Sequence, residues 1–397
     1  MEEKEVRKKK VNHRGHNEGS IFQRADGVWV GQIQIGFKPD GRRKFTTKTS
    51  KSRKEIADWL TESRNDILKN SFIEPNSMTV EDWLWNWMVT YKLKNVSSNT
   101  YARYLNLLNI HIIPAMKNVK LKNLKAIQIQ NFFNDCKESG MSASAIKHVK
   151  TIFNQALECA FRENLIPKNW TEYTVLPKAR SKEEVSVFTP EEQEKIIKNI
   201  PFSPLGVLIR LAIATGAREG ELLGMHWSDI DFENKVINIA QSLGKKREFS
   251  ADGRSVISTE NAVGDLKTLH SKRVIPITDS VIDLLKKYRA KQNQFIKLPD
   301  NTEILPSMVF LNASGGYWDN SNAIKQYRRF LKSLGIPYRK FHTLRHTFAT
   351  RIMEANVHPK IAQELLGHST VNITMNIYSH VLPEQKREAI EKIKGIV

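Results

Sequence analysis

Six residues in the second half of the chain could do chemistry together: Arg218, Lys267, His342, Arg345, His368 and Tyr378. Two guanidiniums, an ammonium, two imidazoles and a phenol suit attack on a phosphodiester without a metal. Such a reaction needs a nucleophile, neutralisation of charge on the non-bridging oxygens, and a proton donor for the leaving oxygen. Arginine suits the second task because its planar fork pairs two phosphate oxygens and never loses its charge. Arg218 and Arg345 are the expected clamp.

The rest of the chain must position these groups and bring them to a polyanion. With 62 Lys and Arg against 42 Asp and Glu, the 397 residues carry a net charge of +20. That balance argues for a nucleic-acid partner, since each neutralised phosphate releases condensed counterions. The length calls for two or three domains. Only two cysteines occur, Cys136 and Cys159, both in runs that read as amphipathic helices, so neither a disulfide framework nor a zinc knuckle is expected. His346, His270, His358 and His380 lack metal-ligand spacing, and the expectation is no metal and no other cofactor. The charged start from Met1 to Lys10 and the lack of a long apolar run predict no membrane span and a soluble, cytoplasmic protein.

Three regions follow one another. Residues 19–50 alternate short strand-like runs with the turns Asp26-Gly27 and Asp40-Gly41, a strong hairpin signal. A helical run from Lys51 follows. This predicts a small three-stranded sheet plus one helix over 1–72, with Arg42, Arg43 and Lys44 placed for DNA contact. A helical domain is expected over 77–178. Thr79 to Asp82 looks like a capped helix start, and Trp83, Trp85, Trp87, Met88, Leu105, Leu108, Ile112, Phe132, Phe133, Ile152, Phe153 and Leu157 recur at the spacings of a four- or five-helix bundle core. Ser97, Ser98, Thr100, Arg103, Ser142, Ser144, Lys147 and Lys150 cluster at two helix starts, where side chains and free N–H groups suit phosphate contacts.

The third region, 185–397, opens on Thr189-Pro190-Glu191-Glu192, which combines an N-cap hydroxyl, proline at the first helical position and a capping-box carboxylate. Leu205–Thr215 reads as a buried helix, and Val236–Ile239 and Arg273–Ile277 read as strands. The polar stretch over about 243–264 shows no assignable element. The expected class is multidomain α+β: a small sheet domain, a helical domain, and a mainly α third domain with a small antiparallel sheet.

The stretch Ala214-Thr215-Gly216-Ala217-Arg218-Glu219-Gly220-Glu221-Leu222-Leu223-Gly224 resembles the first signature box of the tyrosine recombinases, the phage-integrase family. Further boxes follow in the family's order. Lys267-Thr268 with Ser271–Ile277 looks like the strand-turn-strand that carries the family lysine. Phe341-His342-Thr343-Leu344-Arg345-His346 resembles the HxxR box, Leu365-Leu366-Gly367-His368-Ser369 the second histidine box, and Thr374–Val381 the nucleophile box around Tyr378. This catalytic resemblance covers about residues 185–385. The layout before it is similar to the three-domain integrases of conjugative transposons and temperate phages. In these a sheet domain binds arm-type sites, and a core-binding and a catalytic domain clamp the crossover site.

The resemblance implies roles. Tyr378, a phenol with an ordinary pKa of roughly 10, would attack and leave a 3′-phosphotyrosine, storing the bond energy for rejoining. His342 would accept the tyrosine proton or hydrogen-bond a phosphate oxygen, and His368 would donate to a non-bridging oxygen. His342 and Arg345, three apart on a helix, share a face. Lys267 would protonate the leaving 5′-oxygen, with Lys272 and Lys245 as competitors. Glu221 would support the active-site fold. A tail helix over 383–394 would dock within its own subunit or on a neighbour.

The implied activity is site-specific integration and excision of a mobile element, a conjugative transposon, by a homo-tetramer on double-stranded DNA through a Holliday junction. An excisionase and a host DNA-bending protein are implied partners. A chromosome-dimer resolvase or plasmid recombinase would lack the basic N-terminal sheet. A decayed, non-catalytic regulator would have lost catalytic positions, and a type IB topoisomerase would need no paired sites.

Overall fold

The computed structural model describes residues 18–38, 40–68, 72, 77–177, 187–266, 271–296 and 307–371. Two units arise. One takes in the chain as far as Arg180 together with Ser250–Ser255, the other Ser181–Phe249 and the residues from Val256 onward.

The first unit begins with an antiparallel sheet of order β1 (Ser20–Gln23), β2 (Trp29–Phe37) and β3 (Arg43–Ser50), followed by helix α1 (Arg53–Leu68). The two Asp-Gly turns connect these strands, with Gly27 and Gly41 at φ of 79° and 80°, a conformation that costs glycine nothing. Ile33, Ile56 and Leu60 form the small core between sheet and helix. Gly31 lets them close, because a Cβ there would press on Ile56 and Trp59.

The helical part of this unit opens with α2 (Val80–Trp87), capped as the sequence predicts: Thr79 Oγ1 accepts from the Asp82 amide, and the Asp82 carboxylate accepts from the Thr79 amide. The helix runs on through a wider turn, Met88–Lys92. Then come α3 (Ser98–Leu107), extended through Leu108–Ile112 into the short α4 (Ile113–Met116), α5 (Ala126–Glu138) and α6 (Ala143–Arg162). Each apolar residue named above for this core is buried. Trp83 keeps its indole N–H satisfied by donating to the Ala156 carbonyl at 2.8 Å, and Trp87 stacks on Tyr104. Burial of one such side chain contributes roughly 1.5–3 kcal/mol. In the same unit, Tyr101 donates to the carbonyl of Gly253.

The second unit is mainly helical: α7 (Pro190–Asn199), α8 (Pro204–Thr215), α9 (Glu219–Leu223), α10 (Asp279–Lys291), α11 (Asn320–Ser333), α12 (His342–Glu354) and α13 (Pro359–Leu366). Between α9 and α10 lie β4 (Ile230–Asp231), β5 (Val236–Ile239), β6 (Gln241–Phe249), β7 (Val256–Asp265) and β8 (Arg273–Pro276); β4, β5 and β8 form one antiparallel sheet. Helix α7 carries the expected box, Thr189 with Glu192, and Pro190 in its first turn. Apolar α8 is buried along most of its length.

The polar stretch without an assignment is a long hairpin, β6 paired with β7. Its strands are polar on both faces and carry little of the alternation that marks a half-buried strand. The turn signal Asp252-Gly253 was present, with Gly253 at φ 68°. No helix among the described residues is long and apolar enough to cross a membrane.

Candidate active site

Helix α8 is entered through Ser203, which accepts from the Gly206 amide, and ends at Gly216 in the left-handed region, φ 62°. Ala217 and Arg218 then lead into α9. Arg218 is held from two sides. Its Nη1 donates to Glu221 Oε1 at 2.6 Å, and its own backbone N–H donates to Glu221 Oε2 at 2.8 Å. Its Nη2 reaches the Gly367 carbonyl at 3.4 Å. The Arg218 side chain remains 38% exposed while that of Glu221 is 1% exposed, so the guanidinium faces outward from a buried anchor.

Arg345, in the first turn of α12, is buried. Its Nη1 donates to the Gly216 carbonyl at 2.9 Å and its Nη2 to the Leu366 carbonyl at 2.5 Å. Burial, then the fields of Arg218 and Arg273, press its pKa down while Glu221 opposes them; a guanidinium starts high enough to stay charged at neutral pH. Helix α12 is itself anchored on α7 and the segment before it. Thr347 Oγ1 accepts from the Phe188 amide, and Arg351 donates to Gln193 and to the Phe188 carbonyl.

Helix α13 ends at Gly367, again left-handed at φ 63°, and the chain turns to place His368, which is buried. The His368 backbone is pinned at both ends by Gln363: its amide donates to the Gln363 carbonyl, and Gln363 Nε2 donates to the His368 carbonyl. Burial first, then Arg345, Arg218, His346 and Arg273, hold its imidazole down at about 4. His342 lies at the surface, yet the part of its ring turned to protein and the neighbours His346, Arg345 and Arg218 also push its pKa well below the ordinary value. Both rings are neutral at pH 7 and can take a proton once an anion arrives.

Arg218, His342, Arg345 and His368, separated by up to 150 positions in sequence, thus act on one another in a single cationic site. Glu221 anchors it. Burial pushes the Glu221 carboxyl up, but the hydrogen bonds and charge of Arg273 and the bonds from Arg218 together hold it below the usual range. Lys267 and Tyr378 lie outside the described residues, as does the 383–394 tail. Of the competing lysines, Lys245 pairs with Asp319 at 3.7 Å and Lys272 with Asp265 at 3.9 Å.

The residues expected at the DNA are differently disposed. Arg42, Arg43, Arg103 and Lys147 are exposed, and Lys44 is half-buried. Ser97 and Ser142 serve as helix caps, accepting from the Thr100 and Ala145 amides, and Ser97 also bonds the Thr100 hydroxyl. Ser98 is the first residue of α3. Lys150 donates to the Thr174 carbonyl at 2.7 Å; that bond is unforeseen, because sequence spacing gave it the same standing as Lys147.

Three further side chains complete the surroundings, of which only His346 was weighed from sequence, as a metal ligand, and set aside. Arg273 pairs with Glu221. His346 sets its ring edge-on to His342 at 4.7 Å, with a buried Nδ1 that has no hydrogen-bond partner among the described residues. Glu219 buries one carboxylate oxygen that has no hydrogen-bond partner among the described residues, and burial raises its pKa to about 7. Arg273 is the first residue of the otherwise apolar β8, which was a signal for a buried charge needing a counterion. Its counterion lies 52 positions away.

A half-exposed and a buried guanidinium beside two neutral imidazoles make an arrangement chemically suited to holding an oxyanion, as phosphoryl transfer requires. Comparison with known proteins gives the family. Residues 186–385 match the model of the phage integrase family, and residues 79–136 match that of the phage integrase N-terminal SAM-like domain. The chain belongs to the phage integrase family, the tyrosine recombinases. It is 32% identical to a XerC-like tyrosine recombinase of Caldanaerobacter subterraneus subsp. tengcongensis over 92% of this chain and 95% of the relative. The ICEBs1 integrase of Bacillus subtilis is 22% identical over 95% of this chain and 100% of its own length. In fold the chain is similar to the Tn1549 transposon integrase solved with circular intermediate DNA, at a TM-score of 0.65 and 23% identity, over 78% of this chain and 99% of that one.

Proposed function

We propose that this protein cuts and rejoins double-stranded DNA at specific sites to integrate and excise a mobile element of the conjugative-transposon kind. The observation that carries the reading is that Arg218 and Arg345 both reach the end of α13 beside His368 and both bear on the His342 and His368 rings. The full-length similarity to an integrase of a mobile element supports the substrate class.

In this reading the Tyr378 phenolic oxygen attacks the scissile phosphorus. The phosphorus–5′-oxygen bond breaks, the leaving oxygen takes a proton from Lys267, and the phenol's proton passes to His342 or to solvent. The product is a 3′-phosphotyrosyl link and a free 5′-hydroxyl. Attack by the 5′-hydroxyl of a partner strand reverses the step and releases the phenol, so no external energy source is needed. Arg218 and Arg345 neutralise the two non-bridging oxygens, and His368 donates to one of them. Strand exchange through a Holliday junction in a homo-tetramer, with an excisionase and a host DNA-bending protein setting direction, completes the proposal. Arg42, Arg43 and Lys44 would contact arm-type DNA, and Ser97, Ser98, Thr100, Arg103, Ser142, Lys147 and Lys150 the core site, Lys150 by exchanging its bond to Thr174. The three regions 1–72, 77–178 and 185–397 would divide arm binding, core binding and catalysis.

The test is a nicked suicide duplex carrying an element end, incubated in EDTA with the protein or with Tyr378→Phe and run on a denaturing gel. A covalent protein–DNA band made only by the unsubstituted chain is the expected result. Absence of a band on DNA that is demonstrably bound would favour a non-catalytic regulator. A band from the Phe variant would move the nucleophile to another residue.

A further inference from the structure

Three successive carbonyls at the C-terminal end of α13 each accept from a different arginine: Leu365 from Arg273 Nε at 2.7 Å, Leu366 from Arg345 Nη2 at 2.5 Å, and Gly367 from Arg218 Nη2 at 3.4 Å. These carbonyls are the unsatisfied, partly negative end of the helix. Two of the three guanidiniums are the proposed phosphate clamp. The third has had no role.

We propose that Arg273 is a positioning residue of the strand-cleavage centre, fixing both the carboxylate that aims Arg218 and the backbone that carries His368. The proposal rests on the function argued above and adds a residue to it.

The geometry separates Arg273 from the clamp. Its side chain is 5% exposed against 38% for Arg218, and where the equally buried Arg345 donates to the Gly216 and Leu366 carbonyls, Arg273 spends both of its Nη groups on Glu221. Its Nη2 meets Glu221 Oε2 at 2.8 Å and its Nη1 meets Oε1 at 3.3 Å. A fork on both oxygens fixes the plane of the carboxylate. Arg218 takes those same two oxygens, through its Nη1 and its backbone N–H. A carboxylate held by Arg218 alone would be free to turn with that half-exposed chain. Held by Arg273, it becomes a fixed reference.

Charge gives a second reason. An ionised carboxylate buried as deeply as Glu221 is costly unless it is paired. Arg218 must share its own charge with a phosphate, and Arg273 keeps Glu221 neutralised while it does so.

The third reason is at His368. A Cβ on Gly367 would stand 3.1 Å from both Cδ and Nη1 of Arg273, so this glycine is needed for close approach as well as for its positive φ. Arg273 Nη1 also donates to the Ser271 carbonyl, closing the bond pattern of the side chain. Nε, Nη1 and Nη2 all donate, together holding Glu221, the Ser271 backbone and the end of α13.

The experiment uses full-length chains carrying Arg273→Met, Arg273→Lys, Glu221→Gln, or Met and Gln together, with Arg218→Ala as control. Suicide duplexes carry either the ordinary scissile phosphodiester or a methylphosphonate, which lacks one charged oxygen and so depends less on the clamp. Folding is followed by thermal melts, and single-site binding separately from the first-turnover cleavage rate. Arg273→Met is expected to bind DNA normally and to cleave the phosphodiester about 100-fold slower, the size of losing one oxyanion donor. Relative to the unsubstituted chain on methylphosphonate, that deficit should shrink to within about 5-fold, as neutralisation matters less there. Arg273→Lys, which retains the charge without the fork, should recover part of the rate. The double variant should be no slower than the slower single variant, as expected for residues acting in series. Equal losses on both substrates, multiplicative losses in the double variant, or unchanged cleavage by Arg273→Met would overturn the proposal. If Arg273→Met does not fold, Arg273→Lys carries the same comparison. Failure of the unsubstituted chain to form any covalent product would instead strike the functional reading. Failure of Arg218→Ala to show the same substrate dependence would strike the clamp.

Discussion

Arg345 and Gly216 are joined by a hydrogen bond across 129 positions, Nη1 donating to the carbonyl at 2.9 Å. Gly216 ends α8 in the left-handed region, and a Cβ there would collide with the ring of Phe348, which lies on α12 with Arg345. One glycine therefore sets both the end of one helix and the distance to the next. Gly216→Ala should destabilise the protein by about 1–3 kcal/mol from backbone strain alone. Displacement of Arg345 should also slow cleavage in molecules that remain folded. Urea unfolding and suicide-duplex cleavage below the transition test this; a stability loss with an unaltered cleavage rate would separate Gly216 from the site.

Arg345→Lys keeps a positive charge but cannot reach two carbonyls and a phosphate at once, because an ammonium has no planar fork. The expected outcome is a fall in cleavage of about 100- to 1,000-fold, the range for a lost oxyanion donor, with single-site binding changed little. Binding measured by gel shift and cleavage measured by single turnover should diverge. Parallel losses in the two would place Arg345 in general DNA binding.

His368, which is buried, and His342, whose ring is partly turned to protein, are kept neutral at pH 7 with the help of the surrounding guanidiniums. A bound phosphate supplies the opposite charge and favours their protonated forms. Binding of site DNA near pH 7 should therefore take up protons. Calorimetry in two buffers of different ionisation enthalpy reads this directly, and His368→Asn should reduce the uptake. Equal apparent enthalpies in both buffers would count against protonation on binding.

How much of this was legible beforehand differs by element. Thr189 and Pro190, or Asp26 and Gly27, act through local rules, so a start or a turn could be named from a few adjacent letters. The bundle core around Trp83 and Phe153 followed from spacing, because helical periodicity reports burial directly. The hairpin over Gln241–Asp265 was missed because both faces of its strands are polar. The candidate catalytic letters were picked out through their resemblance to a family. Their bracing was not: Arg273 meets Glu221, and Arg345 meets Gly216, only after the chain has folded, and no local spacing encodes such a contact. Lys150 and Lys147 look alike in sequence, yet Lys150 is tied to Thr174.

Glu219, next to Arg218, offers a test through stability. Burial raises its pKa from 4.5 to about 7. The folded state then holds a proton over this interval that the unfolded state has released, so stability falls as pH rises from 4.5 to 7. His368, depressed to about 4, has the opposite sign, favouring the folded state as pH rises from 4 toward 6.5. Glu219→Gln should remove the first effect and leave the second. Melting temperatures of the variant should exceed those of the unsubstituted chain most at pH 8 and least at pH 5. A constant difference across that range would show that Glu219 does not titrate there.

Arg103 on α3 and Lys147 on α6 are exposed near helix starts, whereas Ser97 and Ser142 already cap those helices. If the two cations each meet one phosphate, replacing either with alanine should weaken core-site binding and flatten the dependence of log affinity on log salt by about one unit. Sequence preference should stay unchanged, since phosphate contacts position the protein without reading bases. Titrations at several salt concentrations on cognate and scrambled duplexes measure both quantities. An unchanged slope would remove that residue from the interface, and an altered preference would assign it to base recognition.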